Sequence, residues 1–178
     1  MKTQKHITIL ILALFTFIST VNAQLSGYNH YIDVTINASQ VSGNSSHTNF
    51  PVLIDITDNA LKTSSNGGFV LNSSAYDIAF SYQGNTVTLV HELEDYDANT
   101  GSLKAWVKIP SLSATTNTTI RMHFGKNGIS TNPSSNAVWN TNYTSVWHLN
   151  DDFLDATSNS NDGTMTNMDS GDIVTDVP

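Results

Sequence analysis

Leu103-Lys104-Ala105-Trp106-Val107-Lys108-Ile109-Pro110 alternates apolar and polar side chains with a period of two. Successive side chains of a strand point to opposite faces, so Leu103, Ala105, Val107 and Ile109 share one side while Lys104, Trp106 and Lys108 share the other. A helix would scatter the four apolar residues around its circumference. The segment therefore reads as a half-buried strand, closed by Pro110, which has no N–H to give to a ladder. The same period recurs on both sides of it. Residues 31–36 place Ile32, Val34 and Ile36 together, residues 50–56 do so with Val52, Ile54 and Ile56, and residues 118–124 with Ile120, Met122 and Phe124. Residues 76–82 turn at Gln83-Gly84-Asn85 into residues 86–93, which reads as a hairpin.

Several such strands separated by turn clusters predict an all-β fold, an antiparallel β-sandwich of jelly-roll-like kind. Composition agrees: Ser, Thr and Asn supply about a third of the 178 residues, and these side chains compete with helical backbone hydrogen bonds while suiting turns. At most one short helical turn is expected, over residues 58–62, with Asp58 as its cap and Asn66-Gly67-Gly68 barring continuation. The two-residue period puts Ile32, Val34, Val52, Ile54, Ile78, Phe80, Val107, Ile109, Ile120 and Met122 inside. It puts Asp33, Asp55, Lys104 and Arg121 outside.

Charge narrows the partners. With 7 basic against 15 acidic residues and a net charge of -8, the chain has too little positive potential to hold a phosphate backbone, so nucleic acid is excluded as a partner. Residues 1–23 read as a secretory signal: Lys2 and Lys5 precede an apolar stretch over residues 7–18, and Val21-Asn22-Ala23 fits the cleavage pattern. That stretch spans roughly 18 Å of a bilayer core about 30 Å thick, too short for an anchor. No membrane span is expected after cleavage, and the protein is expected to be secreted or on the cell surface. An exported chain without cysteine fits a bacterial envelope better than an animal extracellular domain. Residues 24–143 form the expected sandwich domain, in which residues 126–142, rich in Gly, Ser, Thr and Asn, run over the surface as a connection. Residues 144–178 are too few to bury a core of their own and are expected to pack poorly from about Asn150 onward.

Four segments, Phe50-Pro51-Val52, Asp77-Ile78-Ala79-Phe80, His91-Glu92-Leu93-Glu94-Asp95-Tyr96-Asp97 and Ala105-Trp106-Val107-Lys108-Ile109-Pro110, resemble in order and spacing the bacterial domain of unknown function 2341. In that family an FPV strand, a DI.F strand, a YEIE.WD strand and an AWVKVP strand are followed by a YYGN turn, which Met122-His123-Phe124-Gly125-Lys126 resembles. The likeness covers about residues 28–143. Val146-Trp147-His148-Leu149 with residues 155–163 is similar to the opening of a concanavalin A-like, laminin-G-type lectin domain, of which residues 144–178 would be an incomplete start. The resemblance implies a modular exported protein with neighbouring modules. It implies no established activity.

The candidate chemistry gathers around residues 92–106. Glu92 and Glu94 lie two apart on one strand, about 7 Å from each other and near the separations of glycosidase carboxylate pairs; the alternative is a solvated strand face. Trp106, between Lys104 and Lys108, offers an indole on which a sugar ring would stack, with Glu92, Glu94 and Tyr96 as its polar neighbours, unless a second layer covers that face. Asp95, Asp97 and Asn99 alternate near a strand end and supply oxygens of the kind that hold calcium, although an Asx-stabilised turn explains them equally. Asp155, Asn159, Asn161 and Asp162 make a second oxygen-rich turn. No other cofactor is implied, because His30, His47, His91, His123 and His148 are dispersed without paired ligand spacing. There is no Cys nucleophile, no Gly-x-Ser-x-Gly elbow and no phosphate-binding loop. The expected role is a non-catalytic module that binds a polysaccharide or glycoconjugate or serves adhesion. The alternatives are a polysaccharide hydrolase or lyase using Glu92 and Glu94, and a spacer beside a lectin domain.

Overall fold

The computed structural model describes residues 24–149 and 152–167; the expected signal segment and residues 168–178 lie outside the described part. Among the described residues, seven strands form two antiparallel sheets: β1 (His30–Ile36), β2 (His47–Thr57), β3 (Ala79–Tyr82), β4 (Thr88–Leu89), β5 (His91–Asp97), β6 (Ser102–Leu112) and β7 (Thr118–Phe124). One sheet has the order β1-β7-β3-β4 and the other β2-β6-β5. Their inner faces enclose one core in which Phe80, Ile120, Met122 and Phe124 of the first sheet meet Ile54, Leu103, Ala105, Val107 and Ile109 of the second. The fold is an antiparallel β-sandwich. Burial of each large side chain at this centre is worth roughly 1.5–3 kcal/mol.

The alternation in β6 is as expected, with Leu103, Ala105, Val107 and Ile109 fully buried and Lys104, Trp106 and Lys108 on the opposite face, although Lys104, expected outside, is half-buried there. Ile32, Val34 and Val52, expected inside, are only half-buried, because β1 and β2 are edge strands and the facing sheet covers them on one flank only. Four other expectations need correction. Arg121 is 2% exposed rather than outside, since its guanidinium pairs with Asp33 (Nε to Oδ1 2.7 Å, Nη2 to Oδ2 2.9 Å) and stacks 3.7 Å over the Tyr31 ring. Pro110 does not close its strand; β6 runs on to Leu112, its ladder with β2 resuming at Ser111 opposite Thr48 after Asn49, which adopts φ 52°. Residues 86–93 are not one strand, since the chain leaves the first sheet after Leu89 and enters the second at His91. Among the described residues short 3₁₀ turns occur four times, including the expected one at Asn59–Leu61, where Asp58 accepts from the Ala60 N–H.

The connection over residues 126–142 is more than a surface run. It carries the 3₁₀ turn Asn136–Val138 and buries Val138 and Trp139. It also borders β5, with Ser135 N–H donating to His91 O (3.0 Å) and Leu93 N–H donating to Ser134 Oγ (2.8 Å). Of residues 152–167, expected to pack poorly, 158–167 are exposed throughout, and the segment is pinned by the buried Asp155. Its carboxylate accepts from the N–H groups of Val146, Thr157 and Asn161 and from the Thr157 hydroxyl, each at 2.9–3.0 Å. Burial pushes this carboxyl up, but those four donors outweigh it and hold the pKa at about 2. Among the described residues no helix is long and apolar enough to cross a membrane.

Candidate functional site

Glu92, Glu94 and Trp106 come together on the outer face of the β2-β6-β5 sheet. Glu92 lies opposite Trp106 in the ladder, and a bulge between Leu93 and Asp95 inserts Glu94 without a partner. Glu92 and Glu94, two apart, share the outer face by ordinary alternation, and the bulge resets the alternation for the residues that follow. It also decides the fate of Tyr96. Past the bulge, Tyr96 lies opposite the buried Leu103, packs against the core, and donates its hydroxyl to Leu61 O at 2.6 Å. Burial, with the Asp77 and Asp97 charges, pushes its pKa up to about 12. The structure thus brings Trp106, Glu92 and Glu94 into one group and separates Tyr96 from them.

Two further residues complete the group. The Trp139 indole N–H donates to Glu92 Oε2 at 2.7 Å, and the Trp106 indole N–H donates to Glu94 Oε2. The two indoles lie 5.0 Å apart at 58°, and Tyr143 meets Trp139 edge-on at 5.2 Å. His148 sits over both carboxylates, with Nε2 3.5 Å from Glu92 Oε2 and Nδ1 3.3 Å from Glu94 Oε2. A neutral imidazole has one N–H and one lone pair, so only the protonated ring suits carboxylates at both nitrogens. Pairing with Glu92 accordingly pushes the His148 pKa up; burial opposes this, and the Glu94 and Asp152 charges reinforce it. Each nitrogen faces a different carboxylate, so no nitrogen converges with both oxygens on one point. Among the described residues no group of three or more His, Cys, Asp or Glu side chains is placed to hold a metal ion.

Trp106 is therefore not a bare platform: Trp139, supplied by the connection, packs beside it. Each of the two Glu side chains retains 16% of its exposure. Sequence reasoning missed Trp139 and His148 as parts of this group. The apolar triplet Ala137-Val138-Trp139, standing in a polar connection, was the signal available for the first.

The calcium candidates are placed as a turn. Asp97 accepts from the Asn99 N–H and the Thr100 hydroxyl, both at 2.8 Å, and these bonds lower its pKa. Asn99 accepts from Asn66 Nδ2 at 3.1 Å, while Asp95 is exposed opposite Lys104. Gly101 closes the turn at φ 73°, where a Cβ would strike the Asp58 carbonyl.

On the other sheet, Ser81 and His123 are fully buried and joined at 2.9 Å through His123 Nε2, with Nδ1 left without a hydrogen-bond partner. Burial, aided by the Arg121 charge, depresses the His123 pKa to about 4. With no third group on Nδ1 and no exposure, this pair lacks the orienting partner and access that a nucleophilic serine needs.

The molecule is thus a two-sheet sandwich whose outer indole and carboxylate groups are held by its own C-terminal segment. The chain belongs to the family described as Domain of unknown function (DUF2341), whose model matches residues 74–167. The match begins after β2, takes in Glu92, Glu94, Trp106, Trp139 and His148, and runs past Tyr143 to include Asp155. No curated protein and no solved structure matches the chain.

Proposed function

We propose that the chain is a non-catalytic module of an exported bacterial protein, secreted or held at the cell surface beside other modules such as a lectin-type domain, and that it binds a glycan. The observation that carries this reading is the engagement of both candidate catalytic carboxylates. Glu92 is taken by the Trp139 indole and His148, and Glu94 by the Trp106 indole and His148. A glycosidase pair must flank a sugar ring with one group free to donate a proton and the other free to attack or to activate water. These two point the same way and hold a segment of their own chain instead. Indole and phenol rings beside amides and hydroxyls favour a sugar as ligand.

The test is retention on immobilised polysaccharides together with an assay for released reducing sugar. The parent should be retained and release nothing. A shallow site of this kind gives about 4 to 6 kcal/mol, roughly millimolar to tens of micromolar, so retention should grow steeply when several modules are linked. Sugar release that Glu92→Gln abolishes would establish the hydrolase or lyase instead, and absence of both retention and release would leave the spacer.

A further inference from the structure

Two clefts meet at Lys108. One, of about 370 Å³, is walled by Trp139 and Tyr143 and edged by Asn140, Thr141, Ser158 and Asn159. The other, of about 480 Å³, lies among Asn49, Tyr82, Asn85 and Val87, and Lys108 lines both. The two are also joined where Asn140 Nδ2 donates to Asn49 O at 3.3 Å. The chain has 15 acidic residues, yet among the described residues no Asp or Glu lines either cleft. Lys108 donates one N–H to Ala137 O and forms no ion pair among the described residues, the ion pairs there being those of Arg121 and His148. Its ammonium carries three donors, so two are left for other partners.

We propose that this paired cleft is the saccharide site and that its ligand is an acidic polysaccharide, a hexuronate residue placing its carboxylate on Lys108 while its neighbours along the polymer occupy the clefts on either side. The proposal rests on the glycan-binding reading and names its ligand class. Tyr143 supplies an aromatic wall, and the Asn140 amide and the Ser158 hydroxyl are of the kind that pairs with sugar hydroxyls. A neutral sugar offers the ammonium only hydroxyl acceptors, whereas a carboxylate gives it a charge-assisted hydrogen bond roughly twice as strong. The net charge of -8 does not forbid a polyanion, because at physiological ionic strength charges beyond about 8 Å are screened and the local cation decides.

The experiment is affinity electrophoresis of the full chain in gels containing polygalacturonate or the neutral polymer galactan, with thermal melts to show that each variant is folded. The parent should be retarded by polygalacturonate and less by galactan. Lys108→Met should weaken the first retardation about tenfold and the second by a much smaller factor. Ser158→Asp, which sets a like charge in the cleft at an exposed position, should do the same, and it decides the matter if Lys108→Met fails to fold. Retardation by galactan alone, equal retardation by both, or polygalacturonate binding untouched by either variant would overturn the acidic site while leaving glycan binding in place. No retardation by either polymer, together with no retention on the wider polysaccharide panel, would overturn both.

Discussion

Asp77 shows what one side chain does in this fold. It is fully buried and its carboxylate accepts three backbone N–H bonds, from Leu71 (2.8 Å), Asn72 (2.9 Å) and Gly125 (3.0 Å), so it ties the loop before β3 to the turn after β7. Asp77→Ala strands those donors in the interior. It should cost about 3 kcal/mol or more in urea denaturation, a larger loss than substitution of the exposed Asp55. The buried histidines set the acid limit. His123, with its pKa at about 4 against an ordinary 6.5, stays neutral in the folded protein while the unfolded chain takes up the proton. Its contribution is therefore complete above about pH 6.5 and is lost as pH falls from there towards 4. His91, depressed by burial, acts in the same direction. Melting temperatures measured across this window should fall with acid, and the imidazole proton of His123 should titrate by NMR near 4.

At the scale of elements, the segment over residues 139–149 behaves as a strap across β5 and β6. Its fastening is His148 between Glu92 and Glu94, with Asp152 adding to the negative field from the strap's own side. Here the sign is opposite to that of His123. A folded pKa raised above the unfolded value gives stability that is complete below about 6.5 and is lost as pH rises through the raised value. Deprotonation turns a lone pair towards a carboxylate. Hydrogen exchange of the Val146 amide should therefore accelerate towards alkaline pH beyond the intrinsic rate, and His148→Ala should abolish the excess. Because the pair is partly exposed, that variant should lose only about 1 kcal/mol. The bulge in β5 has a comparable reach: were the same residues paired in regular alternation without it, Asp95 would turn inward and Tyr96 outward.

For the whole molecule, the family match and the fold have different limits. Residues 74–167 hold β3 to β7, but β7 pairs along its length with β1, and β6 pairs with the eleven-residue β2, both of which precede the match. A protein consisting of residues 74–167 alone would lack β2 and β1 and leave two long strand edges and an open core face. It should show no cooperative melt by circular dichroism and should bind a hydrophobic dye, whereas residues 24–167 should melt cooperatively.

The sequence by itself determined the sandwich, the inward face of β6 and most of the strands, because a two-residue period is local and can be met only by burying one side of a sheet. It also determined the cap at Asp58 and the gathering of Glu92, Glu94 and Trp106, which spacing along a strand and pairing across two strands make visible. The tertiary structure alone decided the rest. Arg121 is buried because Asp33 and Tyr31, 88 and 90 positions earlier in the chain, reach it from β1. Tyr96 turns inward because an inserted residue changed the count. Trp139 and His148 cover the acidic pair because a polar connection, with no periodicity to show its course, returns across the sheet. Contacts between residues far apart in the chain depend on where loops bring them, and loop paths leave little trace in local pattern.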